Sequence, residues 1–172
     1  DLAMNPSHSS TEHRSKAPKK LSFAVITVSD TRTIESDKSG RLIVECMTEA
    51  GHGLASRAIV RDEPVEIAEE AKQVLSSKVD VLLLTGGTGI SHRDQTPEAI
   101  EPLIEVHIPG FGELFRTLSY EDIGPAAMLS RAFGGRSGRT LVFCLPGSTG
   151  AVRLAMEKLL IPELPHLVFH AR

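Results

Sequence analysis

The run Val79-Asp-Val-Leu-Leu-Leu84, followed at once by Thr85-Gly-Gly-Thr-Gly89 and then by Thr96-Pro97, constrains the fold more than any other stretch. A short apolar run bounded by glycines has the length and composition of a strand buried on both faces. Thr96 suits a helix cap and Pro97 a first helical position. The segment therefore predicts a buried strand, a glycine loop and a helix start in direct succession.

The same order recurs along the chain. Leu21 to Val28 predicts a strand, and Ser39 to Ala50 a helix capped by Ser39 and stopped by Gly51. Residues 55 to 60 predict a weaker strand, and Pro64 opens a helix with Ile67, Ala71, Val74 and Leu75 on one face. Pro97 to Glu105, Phe111 to Leu118 and Ala126 to Ala132 predict short helices. Arg139 to Leu145 predicts another strand, and after Pro146-Gly-Ser-Thr-Gly150 a last helix turns Val152, Ala155, Met156 and Leu159 to one side. Strands alternating with helices imply right-handed crossovers and an α/β fold: three α-β-α layers around a mainly parallel sheet. Ligands of such sheets bind at the carboxyl ends of strands, near a reversal of strand order. Three post-strand loops qualify, namely Ser29 to Ser39, Thr85 to Thr96 and Pro146 to Gly150.

A chain of 172 residues, 41% apolar, suffices for one well-buried domain, assigned to residues 21–172. Residues 1–20 are polar, with Arg14, Lys16, Lys19 and Lys20 close together, and lack the apolar core of a secretory signal. They read as a tail whose order would require a contact such as a neighbouring subunit; Met4 reads as the native start. The net charge of −3 and the absence of a long basic run in the body argue against a nucleic-acid surface, and no apolar stretch reaches membrane-span length. Cys46 and Cys144 read as two buried thiols in a reducing compartment, hence a cytoplasmic location. The seven histidines are scattered along the chain and no Cys-x-x-Cys occurs, which disfavours zinc.

Each candidate group has a plain alternative. Gly86, Gly87 and Gly89 let backbone N–H groups approach an anion such as a phosphate, or make a tight turn. Arg93 and Asp94 place a cation and a carboxylate beside that cradle, suited to an oxyanion and a hydrated magnesium ion; a surface ion pair is the alternative. Asp62, ahead of Pro64, reads by position as a helix cap, and Asp30 reads equally as a turn residue or a ligand contact. Pro109-Gly-Phe-Gly112 fits a hinge, a binding loop or a helix lead-in, and Ser130-Arg131 fits a site or a helix end. Pro146-Gly-Ser148 offers a second backbone nest ahead of a helix. A P-loop, a dinucleotide fingerprint after the first strand and a nucleophile elbow at Ser148 are all missing their required residues.

Taken together, Val28-Ser-Asp30, Asp37-Lys-Ser-Gly40, Val60-Arg-Asp62, Thr85 to Gly89 with Arg93-Asp94-Gln-Thr-Pro97, Pro109 to Gly112, Leu129-Ser-Arg131 and Leu145-Pro-Gly147 resemble the molybdopterin-binding family over about residues 21 to 168. The resemblance is strongest to its adenylyltransferases and its protein B branch. It implies a three-layer α/β domain forming a homotrimer, or a hexamer of two trimers, with other proteins of molybdenum cofactor biosynthesis as further partners. It implies Mg2+-dependent transfer of AMP from ATP to the terminal phosphate of molybdopterin, releasing pyrophosphate. The family's catalytic, magnesium-holding aspartates match Asp62 and Asp94, displacing the cap reading of Asp62. Its ligand contacts match Gly86, Gly87, Thr88, Gly89, Ser130, Pro146, Gly147 and Ser148, with Arg93 and Asp30 beside them. One departure counts against catalysis: the adenylyltransferases often follow Leu-Pro-Gly with an Asn-Pro pair, whereas Ser148-Thr149 is the protein B pattern, some of whose bearers are catalytically silent. The alternative that follows is a non-catalytic molybdopterin carrier.

Overall fold

In the computed structural model, residues 15–172 are described; most of the polar tail expected over 1–20, and its contact with a neighbouring subunit, lies outside them. The strands are β1 (Ser22–Val28), β2 (Gly53–Val60), β3 (Val81–Thr85), β4 (Val106–His107), β5 (Phe133–Ser137) and β6 (Thr140–Leu145). The helices are α1 (Lys38–Glu49), α2 (Pro64–Ser76), α3 (Thr96–Ile100), α4 (Pro109–Ile123), α5 (Thr149–Ala155) and α6 (Ile161–Ala171). A π-turn, Met156–Leu160, joins α5 to α6, and a 3-10 segment, Gly124–Leu129, follows α4.

One six-stranded sheet runs in the order β2-β1-β3-β6-β5-β4. β2, β1, β3 and β6 are mutually parallel, whereas β5 is antiparallel to both β6 and β4. The fully buried residues of β3 and β6 explain their uninterrupted apolar sequences, and the half-exposed pattern of β2 follows from its edge position. Helices cover both faces. Leu42, Ile43 and Met47 of α1, Phe111 and Phe115 of α4, and residues of α5 and α6 pack on one side; Ile67, Ala71 and Val74 of α2 with Ala99 and Ile100 of α3 pack on the other. This is the expected three-layer α-β-α arrangement with a mainly parallel sheet. No helix among the described residues is long and apolar enough to cross a membrane.

Several local expectations are corrected. Asp37, not Ser39, caps α1: its Oδ1 accepts from Gly40 N at 3.0 Å, while the Ser39 hydroxyl donates to Gly147 O at 2.7 Å. The 97–105 helix ends at Ile100, where Pro102 imposes a 3-10 turn. Pro109-Gly-Phe-Gly112 is the first turn of α4, a helix longer than expected, with Phe111 edge-on to Phe143 at 5.0 Å between centroids. The helix expected over 126–132 is replaced by the end of the 3-10 segment and an irregular link, residues 130–132, that leads into β5. Of the two thiols expected to be buried, Cys144 is and Cys46 is only partly so.

A buried ion pair ties α1 to the edge strand. Asp37, 2% exposed, accepts from Thr27 Oγ1 at 2.6 Å and from Arg57 Nη2 of β2 at 3.0 Å. Arg57→Ala would leave this carboxylate without its cation and should destabilise the fold by about 3 kcal/mol, read as a lower urea midpoint at unchanged m-value. Gly86, at φ 100°, lies where an added Cβ would stand 2.3 Å from Val28 O. Gly86→Ala should therefore cost about 2 kcal/mol or more, measured in the same titration.

Candidate functional site

Strand order reverses beside β1, since α1 carries the chain to β2 on one side and α2 returns it to β3 on the other. Thr27 pairs with Thr85 and Thr85 with Leu145, so β1, β3 and β6 end level and their three loops emerge side by side. Thr85 Oγ1 donates to Pro146 O at 2.7 Å, and Gly86 N to Leu145 O at 3.0 Å, which bind the glycine loop to the loop after β6.

An open cleft of about 510 Å³ lies over this junction. Its floor is Gly86, Gly87, Thr88 and Gly89, and Asp62, Asp94, Ser130, Pro146, Gly147 and Ser148 line it as well. The amide of Gly86 is consumed by the sheet, but those of Gly87, Thr88 and Gly89 meet no protein acceptor among the described residues. Three main-chain donors are thus free in the floor, as an anion cradle requires. Ser148 also caps α5, its Oγ accepting from Ala151 N at 3.2 Å.

The two carboxylates each stand over one glycine. A Cβ on Gly87 would lie 3.1 Å from Asp62 Oδ2, and one on Gly89 would lie 2.6 Å from Asp94 Oδ2. Those glycines are two residues apart, a span of at most about 7 Å, so both acids face one small volume. Asp62 does not cap α2: Glu63 occupies that position, and no side chain bonds there. Asp62 Oδ1 instead accepts from Gln95 N at 3.1 Å, holding the far end of the glycine loop. Asp94 Oδ2 accepts from Ser91 N at 2.9 Å and closes the loop tip. Asp62 Oδ2 and Asp94 Oδ1 have no hydrogen-bond partner among the described residues. Burial pushes the Asp62 carboxyl above its ordinary range, and the negative charge of Asp94 adds to the shift. Thr96, expected to cap α3, is buried and donates its hydroxyl to Gly86 O at 2.8 Å; Gln95 precedes the helix without a side-chain cap bond.

Asp30 and Arg93 are not on the cleft wall. Asp30 Oδ1 accepts from Asp62 N at 3.0 Å and Oδ2 from Arg93 Nη2 at 2.6 Å, a charged hydrogen bond that holds the Asp30 carboxyl below its ordinary range. Both residues therefore brace Asp62 and the glycine loop from outside.

Sequence reasoning missed one whole wall. Phe115, Ser119 and Ile123 of α4, with Ala126, Ala127 and Leu129 of the 3-10 segment, face the glycine floor and give the cleft an apolar side. The available signal was the run of apolar residues through Ile123 to Leu129, too many for a solvated turn. Sequence reasoning also left Arg131 unassigned. Its backbone N donates to Thr88 O at 2.8 Å, Nε to Gly89 O at 2.8 Å and Nη2 to Asp94 O at 3.0 Å, while Nη1 pairs with Glu98.

The donor set suits a hard cation. Two carboxylates, each with one uncommitted oxygen, provide the small protein share of coordination that magnesium takes beside substrate phosphates and water. Among the described residues, no group of three or more His, Cys, Asp or Glu side chains could hold a metal alone.

Residues 24–166 match the family model described as a probable molybdopterin binding domain. The molybdenum cofactor biosynthesis protein B of Bacillus cereus is 53% identical over 161 residues, 92% of this chain and 95% of that protein. A crystal structure of a molybdenum cofactor biosynthesis protein B is 52% identical, covers 91% of this chain and 98% of its own, and superposes with a TM-score of 0.87. The tungsten cofactor synthesizing protein of Pyrococcus furiosus is 41% identical at a TM-score of 0.82, covering 91% and 99%. A family model spanning most of the chain, relatives this similar over nearly their whole length and the shared fold lead to one conclusion: the chain belongs to the molybdopterin-binding domain family.

Proposed function

We propose that this protein acts in molybdenum cofactor biosynthesis by transferring AMP from ATP to the terminal phosphate of molybdopterin, with magnesium and release of pyrophosphate. The observation that carries the reading is the meeting of Asp62 and Asp94, brought from separate loops, over one floor of free main-chain amides. A terminal phosphate oxygen attacks the α-phosphorus of ATP, a P–O–P linkage forms, and the bond to the β-phosphate breaks as pyrophosphate leaves. Such transfers call for little covalent help from protein; they depend on position and on charge opposed where it develops. Magnesium, when bound, supplies neutralisation between phosphates. Asp62 Oδ2 and Asp94 Oδ1 are the oxygens offered to it, and the amides of Gly87, Thr88 and Gly89 are the donors offered to a phosphate. The apolar wall from Phe115 to Leu129 matches a flat heterocycle, either pterin or adenine, and Ser130 and the Pro146-Gly-Ser148 loop supply its polar rim.

A second reading, a molybdopterin carrier without turnover, is favoured by Ser148-Thr149 where the adenylyltransferases often have Asn-Pro. Against it stands the cost of keeping two carboxylates near an anionic ligand, which a binder has no need to meet. Self-association as a trimer, or as two trimers, is supported by the large apolar side chains Leu114, Tyr120 and Met128 left exposed on α4 and its 3-10 extension. A cytoplasmic setting is supported by two unpaired thiols, and reading 21–172 as one domain by the single sheet shared by all strands.

Incubation with molybdopterin, ATP and magnesium should yield the adenylylated pterin by mass spectrometry; absence of product when both ligands bind would favour the carrier. Asp94→Asn should slow product formation by about 100- to 1,000-fold with little change in thermal midpoint, whereas an unchanged rate would remove Asp94 from the reaction. Asp62→Asn separates stability from activity. Because the folded-state value of Asp62 is raised from 3.8, the native protein takes up that proton more readily than the unfolded chain does, and stability falls as pH climbs from 3.8 through the folded-state value. Above that window the ionised carboxylate is a standing cost that asparagine lacks. The variant should melt higher than wild type at neutral pH, lose that advantage below pH 3.8 and lose product formation throughout.

A further inference from the structure

We propose that the Arg131 side chain is the positioning residue for the adenylyl transfer above, on which this inference rests, holding the end of the glycine loop and setting the separation of Asp62 from Asp94. Its hydrogen bonds go to main-chain oxygens of the loop and to the Glu98 carboxylate. In a trans peptide the C=O and N–H point in opposite directions. The backbone N of residue 131 takes Thr88 O and so turns the Gly89 amide the other way whatever the side chain, while the guanidinium takes Gly89 O and fixes the next peptide, that of Ile90, at the end of the glycine loop.

The third bond carries the inference furthest. Arg131 Nη2 donates to Asp94 O at 3.0 Å, and the N–H of that same peptide group, Gln95 N, donates to Asp62 Oδ1 at 3.1 Å. One peptide plane is gripped at both ends, by a guanidinium on one side and by a site carboxylate on the other. Asp62 is thereby placed relative to Asp94 by Arg131, across a single rigid amide. The planar guanidinium can hold two carbonyls and Glu98 at once through a rigid, spread fork of donors; an ammonium gathers its three donors on a single atom and lacks the reach to span all three acceptors. Arg131 is itself braced, because Arg116 of α4 donates to Ala132 O at 2.8 Å and to Ser130 O at 3.4 Å on either side of it.

The test compares the full-length wild type, Arg131→Lys and Arg131→Ala with molybdopterin, ATP and magnesium. Arg131→Ala should lower kcat about 100-fold, as a misplacement of order 1 Å does. The magnesium concentration for half-maximal rate should rise at least about tenfold, as for other residues that orient metal ligands. Arg131→Lys should recover little of this. Added guanidinium ion should restore part of the Arg131→Ala rate and none of the Asp94→Asn rate, a pattern that loss of folding cannot produce. A kcat within about twofold of wild type, or a loss matched by the unfolded fraction and untouched by guanidinium, would overturn the inference. If wild type makes no product, the transfer reading fails by itself, and Arg131 is judged by calorimetry with magnesium-ATP. Binding weakened at least about tenfold in Arg131→Ala supports the positioning role, and unchanged binding overturns it.

Discussion

The close approach of Gly86 to Val28 governs the architecture of this end of the molecule. Where β1 and β3 finish level at the reversal of strand order, the chain leaving β3 must pass directly over the last carbonyl of β1. A side chain there would collide with main chain on both counts of distance and φ, so the glycine permits the crossing. Once it is made, Thr96 fastens the loop's exit to Gly86 O, Leu145 O takes the Gly86 amide, and the three following residues are left with unpaired donors. The cleft is thus a by-product of how a parallel sheet ends, and its chemistry depends on which side chains reach that opening.

Asp62 shows the tension that results. Its carboxylate is partly withdrawn from water and set beside another, an arrangement that works against ionisation, yet only one of its oxygens is used to hold the loop. A residue kept solely for the loop bond would serve as well when neutral. In the proposed reaction a magnesium ion would offset that repulsion.

The parallel half of the sheet was legible because β1, β3 and β6 are buried on both faces and read as unbroken apolar runs. β5 was not. Phe133-Gly-Gly-Arg-Ser137 carries two glycines and looks like a loop, but a Cβ on Gly134 would strike the Phe143 ring at 2.6 Å and one on Gly135 would strike Ile104 at 2.4 Å, so packing across the sheet demands their absence. Long-range neighbours leave no periodic trace in a short strand. The same limit applied to the site. The glycine loop, Asp94 and the Pro146-Gly-Ser148 turn could be singled out from local pattern, whereas local pattern left Ser130 undecided and favoured a cap for Asp62 until family resemblance was considered, and the apolar wall of α4 emerges only when the fold brings it over the floor. Caps were misjudged where a hydroxyl had a better distant partner, as with Ser39 on Gly147 and Thr96 on Gly86.

The Asp30 carboxylate, with one oxygen on the Asp62 amide and the other on Arg93, joins two braces that differ in kind. The first is a short-range bond to main chain. The second is an ion pair whose partners are 37% and 62% exposed, open to the counterions of the medium. Ionic strength therefore has a lever on this outer brace: as the screening length contracts toward a few ångströms, the hold on Arg93 weakens while the grip on Asp62 persists. Salt acts on the outer ion pair first, while the main-chain bonds that hold the acid and the loop tip are left in place.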